Sequence, residues 1–279
     1  MEGLSGRPYN QYDATPEQKH RVLEQVGDVL QTLSKHPFQT AGSLDWQDGK
    51  VVVDAAASNR WVHLGRHGPF DSAQEYEYYT HITEEYLDLV ADGQLHHKYP
   101  AEAFAFYKLL QTKIPRLLDQ EREGAFYLKH VDDKGDHIFV DDEFNVVGLI
   151  DWQFARIVPA REALGPSLLT ADLDDLYSRR SGLSEGDLEL AGILRGGHEG
   201  LDRFMEDELA RRFHLGLASG FPKEEVREIM AGMLADTKED TEAVDVGAWM
   251  KEQVGLLAGD PRWGKVKALA LELGNWDNA

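Results

Sequence analysis

From residue 185 to the end, four stretches repeat their apolar side chains with helical spacing: LDRFMEDELARRFHLGLAS, EEVREIMAGMLAD, DVGAWMKEQVGLLAG and WGKVKALALELG. That period gives each helix one apolar stripe, which it must bury against a neighbour. Strand-like runs are confined to two short regions, residues 44–64 and 126–152. A mainly helical α+β body with one or two small hairpins follows. With 279 residues and 42% hydrophobic content, the chain can bury a sizeable core.

The N-terminal half fits the same plan. Residues 1–14, with Gly3, Gly6 and Pro8, read as irregular. In TPEQKHRVLEQVGDVLQTLSKHPF, Thr15 is a good N-cap, Pro16 suits the first helical position and Gln18 completes a capping box. Val22, Val26, Val29 and Leu33 form its apolar stripe, and Pro37 ends it. LDWQDGKVVVD places an Asp48-Gly49 turn beside a β-branched run, a hairpin signal. A further helix is expected from about Asp71 or Ser72 to Gly93, and another over roughly 100–118 with Pro115 near its end. Tyr76, Tyr79 and Tyr86 fall at helical spacing, which favours packing over a ligand wall.

The unusual chemistry lies in FYLKHVDDKGDHIFVDDEFNVVGLIDW, residues 126–152. Asp132, Asp133 and Asp136 crowd one turn, and like charges so close repel unless something positive sits among them. If residues 137–140 and 147–150 pair antiparallel across EFN, the start of the first strand meets the end of the second. Asp132 and His137 then converge with Asp151. Two carboxylates so placed suit Mg²⁺ completed by phosphate oxygens and water. A nearby unligated acid can take a proton from an attacking hydroxyl. Asp141, Asp142 and Glu143 read as turn residues, and Asp172, Asp174 and Asp175 as helix-capping or solvated acids.

Composition narrows the partners. The net charge is −21, which disfavours nucleic acid and anionic membranes and suits a cationic substrate or metal ions bridging to phosphates. There are no cysteines, hence no disulfides, no thiolate metal sites and no cysteine nucleophile. No apolar run reaches the length of a membrane span. MEGLSGRPYNQY lacks the charged and apolar regions of a secretory signal, so the cytoplasm is the expected location.

The stretch KHVDDKGDHIFVDDEFNVVGLIDWQFARIVP, with GPSLLTADL downstream, resembles the aminoglycoside phosphotransferase-like (choline-kinase-like) family, especially its fungal branch. The segments LGRHGPFDSAQEYEYY and ATPEQKHRVLEQVGDVL extend the resemblance over nearly the whole chain. The resemblance implies a protein-kinase-like C-terminal lobe over 15–279, entered through a hinge-like segment at 1–14. It implies an ATP- and Mg²⁺-dependent kinase acting on a small-molecule hydroxyl. By position, Asp132 matches the catalytic aspartate, His130 the histidine that supports the loop, Asp151 the metal-binding acid and Trp152 the brace after it. His137 stands where the family's metal-binding asparagine falls, and imidazole is a poorer Mg²⁺ ligand than an amide oxygen. We place it in the metal site, as a phosphate-positioning group or a ligand for Mn²⁺. Nothing upstream of Asp132 resembles the Gly-rich strand-turn-strand and strand lysine of an N-terminal lobe. Lys50 falls after the first helix and reads as a hairpin lysine. A C-lobe without its N-lobe is therefore expected, as a fragment, a truncated gene model or a true remnant, with loss of catalysis as one consequence. Two other readings are a non-catalytic scaffold built on that lobe, and a metallohydrolase using His130, Asp132, Asp136, His137 and Asp151.

Overall fold

Thr15 opens the first helix as its sequence predicts. Its hydroxyl accepts from the Gln18 N–H while the Gln18 side chain accepts from the Thr15 N–H, a complete capping box. The resulting helix, α1, spans Pro16–Ser34. The structure is a computed structural model. It describes residues 5–56, 67–73, 75–119, 121, 124–165, 167–172, 183–197, 200–218, 223–235 and 245–274. Asp174, Asp175 and the KEDTE loop lie outside the described residues.

The chain packs as two compact units. The first comprises Met1–Tyr76, Gln120–Asp172 and Leu183–Arg211, and holds the described strands. β1 (Arg7–Pro8), β5 (Ile138–Val140) and β6 (Val146–Leu149) form an antiparallel sheet in the order β1-β5-β6. The expected pairing across EFN is present, with Ile138 opposite Leu149 and Phe139 opposite Gly148. One irregularity between Phe139 and Val140 shifts the register. The irregular start read for residues 1–14 is corrected at Arg7–Pro8, which pair with Val140 and Phe139. Pro8 fits there because the strand is at the sheet edge, where its missing N–H costs nothing.

A second sheet runs β3-β2-β7-β4, from β2 (Gly42–Gln47), β3 (Lys50–Asp54), β4 (Phe126–Lys129) and β7 (Arg156–Pro159). β2 and β3 turn at Asp48-Gly49, both with positive φ (50° and 78°), as a two-residue hairpin requires. Lys50 opens β3 opposite Gln47 and is exposed, a hairpin lysine as read. β4 and β7 are held in register by Lys129 opposite Arg156, which puts the chain entering the acid-rich turn beside the chain leaving Asp151.

Behind the first sheet, Val22 and Leu23 of α1 bury against Ile138, Val140, Phe144, Tyr9 and Leu169. Among the described residues three further helices belong to this unit: α4 (Ala160–Leu164), α5 (Glu185–Gly197) and α6 (Asp202–Met205). Leu190, Ala191 and Leu194 of α5 pack on Met205. Asp187 of α5 is fully buried. It takes the Ser184 N–H at 3.0 Å and the Thr170 hydroxyl at 2.5 Å, and forms an ion pair with the equally buried Arg211.

The second unit comprises Glu77–Asp119, Leu173–Gly182 and Arg212–Ala279, and the described part is helical. It contains α2 (Tyr78–Ala91) and α3 (Pro100–Asp119). The later helices are α7 (Glu208–Ala218), α8 (Lys223–Ala235), α9 (Val246–Ala258) and α10 (Trp263–Glu272). α7 passes into this unit at Arg212. Phe104, Phe106, Leu109 and Leu110 of α3 are buried to 2% exposure or less and form the centre of its core. Tyr79 packs on Phe213 and Tyr86 on Tyr107, so these tyrosines are packing residues. His96 spans the hydroxyls of Tyr99 and Tyr107 with its two ring nitrogens, and burial pushes its pKa down to about 4.

α2 starts later than its sequence suggests. Ser72 does cap locally, its hydroxyl accepting from the Glu75 N–H, but residues 71–73 and 75–77 are not helical and the helix begins at Tyr78. Tyr76 therefore precedes the helix and packs on Phe70 and Phe126 of the first unit. No helix among the described residues is long and apolar enough to cross a membrane.

Candidate active site

The acid-rich turn is strung between two strands of different sheets. β4 ends at Lys129 and delivers His130; residues 130–137 form the turn; β5 begins at Ile138. β6 ends at Leu149, and Ile150 carries the chain to Asp151. The two ends are fastened through Ile150. Its N–H donates to the His137 carbonyl (2.9 Å), adding a rung beyond the strands, and its carbonyl accepts from His130 Nε2 (2.8 Å). Both backbone groups of the residue before Asp151 are thus fixed by the turn that carries Asp132. The backbone before Asp151 is thereby tied to the turn, with His130 as the clasp.

Asp151 itself sits in the left-handed region (φ 65°, ψ 43°), a conformation Asp tolerates better than most residues. That turn points the chain into a short 3₁₀ helix, Trp152–Phe154, and the Trp152 indole N–H donates back to the Leu149 carbonyl at 3.1 Å. Trp152 also stands edge-on to the His130 ring, 4.8 Å between centroids. His137 is stacked on the same ring, 4.1 Å away and 23° from parallel. His130 is therefore held by two aromatic contacts and one hydrogen bond.

The acids divide into two groups. Asp133 turns inward, pairing with Lys129 (3.4 Å) and accepting the Leu168 N–H (3.2 Å), so it anchors the turn. Asp132, Asp136 and Asp151 face solvent to differing degrees. The positive group that crowded acids demand is Lys134. Its ammonium lies 3.2 Å from Asp132 Oδ1 and 3.8 Å from Asp136 Oδ2. Asp132 raises its pKa, with Asp136 and Asp151 adding to the effect. Sequence reading passed over Lys134, although the repulsion among its neighbours was the signal for it. Gly135 permits the turn: its φ is 104°, and a Cβ there would lie 3.1 Å from Leu169 Cδ1.

His137 is buried, and its Nδ1 accepts the Gly135 N–H at 3.3 Å. Burial first, then the neighbouring His130, pushes its pKa down to about 4. The ring is neutral near pH 7. With Nδ1 accepting, the proton resides on Nε2, so this tautomer offers a donor. The expected turn at Asp141 is present, its carboxylate accepting the Glu143 and Asn145 N–H groups. Among the described residues no group of three or more His, Asp or Glu side chains is placed to hold a metal ion, so the mixed cluster of a metallohydrolase is not assembled.

What the arrangement offers is a half-exposed carboxylate, Asp132, and a second, exposed one, Asp151, on rigidly joined backbone. A cation is already drawn to them. A sequence model of the phosphotransferase enzyme family (APH) matches residues 1–206, which includes the whole turn and hairpin. No curated protein and no solved structure matches the chain.

Proposed function

Because the chain belongs to the phosphotransferase enzyme family, we propose that it transfers the terminal phosphoryl group of ATP to a hydroxyl of a small molecule, with Asp132 and Asp151 in separate roles. The observation that carries this reading is the Ile150 clasp. It joins the turn bearing Asp132 to the strand end bearing Asp151, leaving both carboxylates open to solvent on the side where Lys134 sits.

Phosphoryl transfer asks little covalent chemistry of a protein and much positioning and charge compensation. Asp132 accepts a hydrogen bond from the acceptor hydroxyl, orients its oxygen toward phosphorus, and takes the proton as the new O–P bond forms and the bond to ADP breaks. Asp151 fits a hard divalent cation: it offers carboxylate oxygens and takes no hydrogen bond among the described residues. Lys134, whose raised pKa reflects these acids, supports this reading. Bound Mg²⁺ would supply neutralisation of the donor phosphates at Asp151. His137, expected beside it, contributes an Nε2–H donor suited to a phosphate oxygen, and we place it in that positioning role. His130 holds the frame without touching the reactants.

The acceptor is a small hydroxylated molecule, and the acidic chain favours a cationic one. The family also implies a kinase-like lobe and a cytoplasmic setting where ATP is at hand. ADP release tests the reading: the chain is incubated with ATP, Mg²⁺ and a panel of hydroxylated amines, alcohols and sugars. Acceptor-dependent ADP release that disappears in Asp132→Asn is the expected result. Release that survives Asp132→Asn undiminished contradicts the assignment. Absence of release across acceptors, together with no Mg²⁺-dependent nucleotide binding, favours a non-catalytic scaffold.

A further inference from the structure

The acids of the turn are not equally available. Asp133 is engaged by Lys129 and the Leu168 N–H. Asp132 and Asp136 remain, and the Lys134 ammonium lies 3.2 Å from Asp132 Oδ1 and 3.8 Å from Asp136 Oδ2. Asp132 raises the Lys134 pKa most, and Asp136 and Asp151 add to it, so all three carboxylates act on one ammonium. The side chains of Asp132, Lys134 and Asp136 are 43%, 52% and 66% exposed. These acids therefore stand where a cation can arrive from solvent, and a cation of the chain's own is already there.

Kinase-type phosphoryl transfer commonly uses two divalent ions, one on the acid that follows the hairpin and one on the amide of the catalytic loop. His137 stands at that second place by sequence, and its bonding does not suit a metal. Its Nδ1 lone pair accepts the Gly135 N–H at 3.3 Å, so the proton of the neutral ring is on Nε2. A ring nitrogen that carries a proton has no lone pair to give, so neither nitrogen is left for a metal ion. Asp151 is different. It takes no hydrogen bond among the described residues and offers its oxygens to one hard cation. Among the described residues no three His, Asp or Glu side chains are grouped to hold another.

We infer, on the phosphotransferase reading, that Lys134 takes the place of a second divalent cation, so that the site binds one Mg²⁺, on Asp151, and not two. Exposed ion pairs are weak, so the ammonium is not locked onto Asp132. Once the donor phosphates are bound it can turn toward their oxygens, which leaves Asp132 Oδ1 to the acceptor hydroxyl. This part of the charge compensation belongs to the chain and needs no ion from solution.

Mn²⁺ is the probe, because it accepts the same oxygen ligands and its electron paramagnetic resonance reports the free ion. The full chain is titrated with Mn²⁺, with and without a non-hydrolysable ATP analogue. With the analogue, the parent should hold one Mn²⁺ per bound nucleotide. Lys134→Met, which keeps the length of the side chain and removes its charge, should hold two, and Lys134→Arg should hold one. Without nucleotide, Lys134→Met should bind Mn²⁺ at least tenfold more tightly than the parent, because Asp132 and Asp136 then lack their cation. Two Mn²⁺ per bound nucleotide in the parent, no gain of Mn²⁺ by Lys134→Met, or an arginine variant that behaves like the methionine variant would each overturn the inference while leaving the phosphotransferase reading intact. Absence of nucleotide binding by all three chains is a separate failure: it contradicts the phosphotransferase reading, and the inference falls with it. Should a variant not fold, the count of Mn²⁺ on the parent decides.

Discussion

Replacing His130 by Phe separates the clasp from the ring. Phe keeps a planar side chain of similar size between His137 and Trp152, where the centroid distances are 4.1 and 4.8 Å. It removes the Nε2 donor from the Ile150 carbonyl, a loss worth about 1–3 kcal/mol for a buried acceptor. It also removes the orphaned Nδ1, whose burial carries a penalty of the same order, about 1–3 kcal/mol. The two nearly cancel, so stability should change by less than about 1 kcal/mol, within the usual spread of conservative substitutions. Function should not be spared. The backbone before Asp151 loses one of its two ties, and losing a group that orients a metal ligand typically costs ~10–100-fold in affinity or activity. Urea unfolding gives the first quantity, and titration with Mg²⁺ and a non-hydrolysable nucleotide gives the second. A variant as stable as the parent that also binds Mg²⁺-nucleotide as tightly would refute the clasp.

Other predictions bear on the frame. Asp187→Ala leaves the fully buried Arg211 without its partner and the Ser184 N–H without an acceptor, so unfolding should be easier by about 3–5 kcal/mol. A loss under about 1 kcal/mol by urea denaturation would mean the pair is not the anchor we describe. His96 and His137 are held neutral, with pKa values near 4 against an ordinary 6.5. Between those values the unfolded chain binds more protons than the folded one, so their contribution to stability is complete above pH 6.5 and lost as pH falls toward 4. Unfolding free energy measured at pH 7.5, 6.5, 5.5 and 4.5 should therefore decline through that window, and His96→Phe should flatten the decline. A pH-independent stability would contradict it.

The local features were legible because their causes are local. A capping box fixes where α1 starts, Asp-Gly fixes a two-residue hairpin, and the apolar runs at 138–140 and 146–149 could pair in few ways across a short turn. The sheet that seats the turn was not legible. Lys129 opposite Arg156 joins β4 and β7 across an intervening hairpin, and nothing in either tetrapeptide specifies its partner. Arg7–Pro8 was hidden because an edge strand of two residues has no period. The late start of α2 shows a cap bond forming at Ser72 without a helix to follow. Within the site, residue types and spacing pointed to Asp132 and Asp151. The division of labour among neighbours was not readable, because Asp133 and Asp132 differ only in which way each side chain turns.

The central claim is that Asp132 and Asp151 share a site but not a role. Calorimetric titration of Mg²⁺ with a non-hydrolysable ATP analogue into the parent, Asp132→Asn and Asp151→Asn measures this directly. We expect Asp132→Asn to bind with a Kd close to that of the parent, and Asp151→Asn to bind at least tenfold more weakly. Undiminished binding by Asp151→Asn, or an equal loss in both variants, would contradict the account.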